Sequence, residues 1–130
     1  MLDADARLAA SRAAPDGRTR LRAFIAAWGN YIPEVHGVVR AFLAMRETDE
    51  AARAAWDDRR AAVRHGCAAA VRALTADGIL RADLDEEAAT DLLWSLLSVP
   101  VWQHLTIDCG WSQARYIAEL TRLAEAAVIT

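Results

Sequence analysis

Aromatic side chains are the residues of this chain best suited to chemistry, and that chemistry is ligand binding. Five tryptophans occur in 130 residues, and the aromatic residues fall in stretches that predict separate helices. Apolar cavities between helices, with a few polar groups, are the usual binding sites for small molecules. The sequence therefore predicts a pocket for a small, mostly apolar or aromatic ligand. The residues predicted to line it are Phe24, Trp28, Tyr31, Phe42, Trp56, Arg59, Val63, Cys67, Leu93, Trp94 and Leu97.

Arg59 is the charged member of this set. It lies at a core-facing spacing, and its guanidinium offers fixed donors to an anionic ligand group. The alternative is that Arg59 extends to solvent or pairs with a carboxylate such as Asp58. The aromatic residues also have a second interpretation, in which they fill a solid core. We expect His36 and His65 to be solvated, and His104 to be either an interface hydrogen bonder or a polar group of the pocket.

The residue pattern gives no support for catalysis or metal binding. The chain contains no Glu-x-x-His pair, no Cys/His zinc spacing, no glycine-rich phosphate loop and no Gly-x-Ser-x-Gly motif. The acidic residues at positions 83–87 are typical of a helix start. We therefore expect no enzymatic activity, no cofactor and no metal.

Helix is the expected conformation of nearly the whole chain, because alanine is abundant while only three prolines and six glycines occur. Residues 2–14 predict a first helix, which an Ala-Pro-Asp-Gly sequence ends. A second helix begins at Asp16 and is predicted to end within residues 29–33, which include Gly, Asn and Pro. A third begins at Pro33 and stops near Arg46. The buried residues predicted for the third helix are Val35, Val38, Val39, Phe42 and Leu43.

A long fourth helix follows. Thr48 is its predicted cap, and it extends to about Ala76 and ends at Gly78. Its apolar stripe runs along the whole length, which predicts one face in the core.

The last part of the chain predicts a helical hairpin. Asp85 caps its first arm, residues 88–107, in which Pro100 removes a backbone hydrogen bond and predicts a bend. Gly110 suits the left-handed residue after that arm, and Ser112 caps the second arm. The first arm is apolar nearly all round, which indicates burial on two sides, so we expect the hairpin to pair with a second copy. The predicted dimer interface consists of Ser95, Ser98, Val99, Trp102, Tyr116, Leu120 and Leu123.

Residues 84–128 resemble the C-terminal end of TetR-type (tetracycline-repressor-like) transcriptional regulators, with an acidic start, an LLWSLL segment, a Cys-Gly-Trp-Ser turn and an Arg-Tyr-Ile-Ala-Glu-Leu helix. In that family the hairpin pairs with its copy in a four-helix interface. The junction from Trp28 to Pro33 also resembles the family, where a short helix opening with Pro borders the ligand cavity. The resemblance implies that residues 1–15 are a remnant of a linker helix and residues 16–130 the regulatory ligand-binding and dimerisation domain. The family's N-terminal helix-turn-helix, which binds DNA, has no counterpart in this sequence.

The charge and composition of the chain limit the classes of partner that we expect. The formal net charge is −3, and the fifteen basic residues, all arginine, are interleaved with acidic ones. This is a mixed surface and not a basic stripe, so we expect no direct nucleic-acid contact by this chain. The N-terminus has no signal pattern, and the longest apolar run, residues 92–102, is too short to span a bilayer. We expect a cytoplasmic protein with free thiols and no membrane contact.

These observations predict an all-α fold, an antiparallel bundle of five to six helices whose C-terminal two-helix hairpin forms a four-helix dimer interface. The first functional hypothesis is a ligand-sensing homodimer that takes a small-molecule effector. The competing hypothesis is a helical dimerisation or scaffold module with a solid core and no ligand.

Overall fold

The computed structural model describes residues 4–45 and 48–130. The side chains of residues 4–7 and of the five residues predicted to be buried in the third helix lie outside this description. The described residues contain six α-helical segments, a π-helical turn at His104–Asp108 and an isolated bridge between Leu80 and Ile129. The helices are α1 Ala4–Arg12, α2 Gly17–Met45, α3 Glu50–Ala76, α4 Glu86–Leu96, α5 Val99–Gln103 and α6 Gln113–Val128.

Four of the helices form an antiparallel bundle around one core. Helix α2 packs against α3 and α6, while α4 packs against both α3 and α6. Helix α1 is added on the outside of α2. The predicted all-α bundle is therefore confirmed. Fully buried apolar side chains from all four helices fill the centre, among them Leu21, Ile25, Val71, Leu74, Leu93, Leu97, Leu120 and Ala124.

Helices α2 and α3 pack with a constant register, which three contacts define. The contacts are Gly17 with Ala73, Phe24 with Gly66 and Tyr31 with Arg59. Each step of seven residues along α2 is matched by seven residues back along α3, which is the spacing of helices packed as in a coiled coil. A Cβ on Gly17 would lie 2.8 Å from the Ala73 carbonyl oxygen, so the two backbones touch at this end.

Helix α2 is continuous from Gly17 to Met45, and the predicted break within residues 29–33 is wrong. Pro33 has no N–H to donate to the carbonyl of Gly29, four residues earlier. The side-chain amide of Gln113 on α6 donates to that carbonyl instead. The helix passes through Pro33 because a neighbouring helix supplies the missing donor.

The predicted caps Asp85 and Ser112 are confirmed, and Asp16, where the second helix was predicted to begin, caps α2. The carboxylates of Asp16 and Asp85 and the hydroxyl of Ser112 each accept a hydrogen bond from the backbone N–H three residues later. Helix α3 is capped by Asp49, whose carboxylate accepts from a backbone N–H at 3.1 Å, and not by Thr48. Asp and Thr are both good caps, and the choice between adjacent candidates depends on where the first turn closes.

The first arm of the hairpin is broken, where the sequence predicts a single bent helix. Helix α4 ends at Leu96, and Ser98 is extended with φ −122° and ψ 153°. A continuous helix would press the Pro100 ring against the Leu96 carbonyl. With the break, Pro100 falls in the first turn of α5, where its missing N–H costs nothing. The chain then follows the π-helical turn to Gly110, which has the predicted left-handed conformation at φ 72°.

The end of the bundle that holds the start of α2 and the end of α6 is closed by ionic contacts. Glu125 on α6 receives hydrogen bonds from both Arg18 and Arg22 of α2. The Arg22 hydrogen bond lowers the pKa of Glu125 most, and the positive charges of Arg22 and Arg18 add to this against a smaller effect of burial. Glu125 therefore fastens α6 to α2 while it is ionised.

Candidate functional site

The opposite end of the bundle, called the distal end, is formed by α2 beyond Trp28, the start of α3, α5 and the start of α6. Along α2 the side chains change from fully buried Leu21 and Ile25 to partly exposed Trp28, Tyr31 and His36. Polar side-chain atoms here are hydrogen-bonded between helices, whereas the buried side chains of the centre are almost all apolar. We name these residues the distal cluster: Trp28, Tyr31, His36, Arg59, Trp102, Gln103, Gln113 and Tyr116.

Gln113 joins three helices in this cluster. Its amide nitrogen donates to the Gly29 carbonyl of α2, and its amide oxygen accepts from the Trp102 indole N–H of α5 at 3.2 Å. Sequence reasoning missed Gln113. The signal available was Pro33, which leaves the carbonyl four residues earlier in need of a donor if the helix continues.

Trp28 and Tyr116 form a second link, between α2 and α6. The Trp28 indole N–H donates to the Tyr116 hydroxyl oxygen at 3.1 Å. Burial raises the pKa of Tyr116 to about 12, and the hydrogen bond from Trp28 opposes the shift only in part. Tyr116 is therefore an un-ionised phenol at neutral pH.

Arg59 reaches from α3 to α2, where its Nη1 donates to the Tyr31 hydroxyl at 2.5 Å. Its side chain is half-buried. Among the residues that the structure describes, no ion pair includes Arg59, so the alternative in which it pairs with Asp58 is wrong. The structure leaves this guanidinium with a neutral partner at the edge of an aromatic cluster.

His36 is half-buried, so the expectation that it is solvated is wrong. Its ring centroid lies 4.7 Å from that of Trp102, and its Nε2 lies 3.1 Å from the Gln103 amide nitrogen. Burial lowers the pKa of His36, and the charge of Arg40 adds to this. A neutral imidazole whose Nε2 accepts from Gln103 fits both observations. The helical face alone does not show that Trp102 and Gln103 of α5 lie beside His36.

The other two histidines lie outside the cluster. His65 is exposed, as predicted. His104 is 70% exposed, with Nδ1 3.4 Å from an Asp108 carboxylate oxygen. It therefore lies outside the distal cluster, so its predicted role as a polar group of the pocket is wrong, while its predicted role at an interface with a second copy stays a prediction.

Several predicted pocket residues belong to the closed core. These are Phe24, Trp56, Cys67, Leu93 and Leu97, all at most 8% exposed. Burial raises the pKa of the Cys67 thiol to about 12, with a smaller opposing effect from Arg64. Val63 is partly buried against this core, and Phe42 lies outside the described side chains.

Trp94 lies between α3 and α4 and covers the arginine side of α3. Its indole N–H donates to the Arg60 carbonyl at 3.1 Å. The guanidinium groups of Arg60 and Arg64 lie 4.6 and 5.0 Å from the centroid of its ring. This is a cation–π arrangement, and it separates Trp94 from the pocket residues with which it was predicted.

The predicted dimer residues divide into two groups. Val99, Trp102, Tyr116 and Leu120 are at most 7% exposed within the single chain, so their assignment to a partner-facing surface is wrong. The physical reason is that the apolar stripe of α6 is used by the chain's own core. Leu123, at 42% exposed, and Ser95 do face outward, and Ser98 is partly exposed.

Comparison of the chain with protein-family models, with curated proteins and with solved structures finds no match. The TetR resemblance therefore stays a prediction. Within the described residues no helix is both long and apolar enough to cross a membrane. No group of three or more His, Cys, Asp or Glu side chains comes together in a metal-binding arrangement in the same part of the chain.

Proposed function

We propose that this chain is a ligand-sensing and dimerisation domain similar to that of TetR-type transcriptional regulators, with a small, mostly apolar or aromatic effector bound at the distal end of the bundle. The observation that carries the proposal is the distal cluster itself. Aromatic and polar side chains from α2, α3, α5 and α6 meet there, and several remain partly exposed. A mostly apolar surface with a few fixed polar groups is the usual composition of a small-molecule site.

The broken arm supports the same proposal. Helix α5 and the π-helical turn place Trp102 and Gln103 beside α2. Interruptions of this kind recur at functional sites in helical proteins. A ligand that contacts both α5 and α2 can shift the equilibrium between two arrangements of these helices. It does so only if it binds one arrangement more tightly than the other.

A second candidate is a dimerisation or scaffold module with a solid core. It is favoured by the tight contact of Phe24 with α3, where a Cβ on Gly66 would lie 2.5 Å from the ring. Five predicted pocket residues also lie in the closed core. This alternative shares the dimer but not the ligand.

The two candidates differ in one experiment. Isothermal titration with 2-naphthamide, an uncharged aromatic probe, should give saturable one-site binding that Trp28→Ala weakens if the chain is a sensor. Trp111→Ala is the matched control, since Trp111 packs instead with Arg115, whose guanidinium lies 4.2 Å from its ring. Absence of binding of both 2-naphthamide and its anionic counterpart 2-naphthoate to the folded wild type would favour the scaffold.

Dimerisation is tested separately. The exposed apolar residues Leu92 and Leu123 lie on α4 and α6, which pack against each other. In sedimentation equilibrium we expect wild-type dimer and Leu123→Glu monomer, because the substitution buries an unpaired charge at the interface. Ile107→Glu, at a site 55% exposed in the π-helical turn, should leave the dimer unchanged. Dimer formation that is insensitive to Leu123→Glu would exclude this face.

A further inference from the structure

Arg59 has no ion-pair partner among the described residues, although its helix, α3, is rich in charged side chains. Its neighbours one turn away on α3 are Ala55, Trp56, Ala62 and Val63, so no carboxylate lies at the spacings that form ion pairs within a helix. Across the interface its partner is the Tyr31 hydroxyl. The guanidinium is therefore held in place without being neutralised by any described residue.

The surroundings of Arg59 are apolar on one side and open on the other. Trp56 precedes it and Val63 follows it by about one turn on the same face of α3; Trp56 is 8% exposed and Val63 packs against the core. The side chain of Arg59 itself is only half-buried. A ligand arriving from solvent thus meets the guanidinium beside the partly exposed Tyr31 and Val63.

We infer that the effector of this site is an anion with an apolar body, such as an aromatic or fatty carboxylate, and that Arg59 binds its charged group. This inference rests on the proposed function, since it names the ligand class of the same site. A guanidinium that donates one N–H to a hydroxyl keeps further donors in its planar fork, which matches a carboxylate. The ligand carboxylate supplies the ion-pair partner that Arg59 does not have among the described residues.

Tyr31 acts through Arg59 and is a positioning residue. Its hydroxyl accepts from Nη1 and fixes the guanidinium against α2. A fixed guanidinium loses less side-chain entropy when a ligand binds. Tyr31→Phe should therefore weaken binding of an anion more than binding of its neutral isostere.

The test compares 2-naphthoate with 2-naphthamide, which share the ring and differ in charge. In wild type we expect the carboxylate to bind about tenfold or more tightly than the amide, the range for hydrogen bonds to charged groups. Arg59→Gln should remove that preference, and Arg59→Lys should keep part of it. Arg60→Gln is the matched control, because Arg60 is the next residue of α3 and is occupied over Trp94; its preference should equal that of wild type.

The outcomes separate the two levels of the proposal. Equal binding of both probes to wild type, or a preference that survives in folded Arg59→Gln, would overturn the anionic class while the sensor proposal stands. Binding of neither probe would overturn the sensor proposal and the anionic class with it. Circular dichroism and thermal unfolding of each variant confirm that a loss of binding is not a loss of fold.

Discussion

The contact between Gln113 and the Gly29 carbonyl leads to a prediction about Pro33. In α2 the carbonyl of Gly29 would normally accept from the N–H of residue 33, which proline lacks. Gln113 supplies the donor, and the same side chain accepts from Trp102. Gln113→Ala therefore leaves two polar groups without their partners. At about 1–3 kcal/mol for each unsatisfied buried group, reduced by partial access of water, we expect a loss of about 2–4 kcal/mol.

The loss should depend on residue 33. In a Pro33→Ala background α2 regains the N–H that bonds the Gly29 carbonyl, so Gln113→Ala should cost roughly 1–2 kcal/mol less there. The Trp102 indole loses its partner in both backgrounds and cancels from the comparison. The coupling energy of the double-mutant cycle thus reports the Gly29 carbonyl alone.

Urea unfolding of the four proteins, with midpoint and slope fitted for each, gives this coupling energy. A parallel cycle of Pro33→Ala with Glu119→Gln is the control, because Glu119 pairs with Arg122 on the outer side of α6 and should be additive. Additivity of Pro33→Ala and Gln113→Ala within about 0.3–0.5 kcal/mol would refute the role given to Gln113.

Three further predictions concern the stability of the fold and the access of a reagent to the two cysteines. Gly17→Ala should lower the free energy of unfolding, measured in urea, by about 1–3 kcal/mol, because the new Cβ meets the α3 backbone. Gly37→Ala on the same helix has open space around it and should raise that free energy by up to about 1 kcal/mol. Equal unfolding midpoints for the two variants would contradict the close approach of α2 and α3 at Gly17. The pKa of Glu125 is lowered in the folded state, so the stabilisation that Glu125 gives is present above its unfolded pKa and is lost as the pH falls through its folded pKa. The difference in melting temperature between wild type and Glu125→Gln should therefore shrink from pH 7 towards acid. A constant difference would contradict the ionic contact of Glu125 with Arg18 and Arg22. Iodoacetamide followed by peptide mass spectrometry should label exposed Cys109 in the native protein and buried Cys67 only in urea; native labelling of Cys67 would show that its site opens.

Much of the fold follows from local sequence signals. Asp85 and Ser112 cap the starts of α4 and α6, and Gly110 takes the left-handed conformation after the π-helical turn; each of these depends only on nearby residues. The buried stripe of α3 follows from its period, since its apolar positions recur with the helical repeat. These features depend on contacts within a few residues along the chain.

The features that sequence did not predict depend on distant partners. Pro33 predicts a helix break because the group that replaces its missing N–H, the Gln113 amide on α6, lies eighty residues away in sequence. Pro100 reads as a bend because a one-dimensional pattern does not show that the chain opens at Ser98. His36 and Arg59 were assigned by helical face, but their environments are set by Trp102 and Tyr31 on other helices.

The apolar stripe of the hairpin shows the same limit for function. Periodicity reports that Tyr116 and Leu120 are buried but not by which chain. The structure buries them inside one chain, which leaves the outer residues Leu92 and Leu123 as the surface available to a second copy. Only a three-dimensional arrangement distinguishes these two uses of one stripe.

The central claim, that a small aromatic anion binds at the distal end, is tested most directly by the five tryptophan indole N–H resonances in a ¹⁵N correlation spectrum during titration with 2-naphthoate. Trp28 and Trp102 lie in the distal cluster and Trp56 precedes Arg59 by about one turn of α3, whereas the rings of Trp94 and Trp111 pack with arginines that are not part of the cluster. We predict saturable shifts of the first three resonances with the last two unchanged. No shift at saturating probe, or shifts confined to Trp94 and Trp111, would contradict a binding site at the distal end.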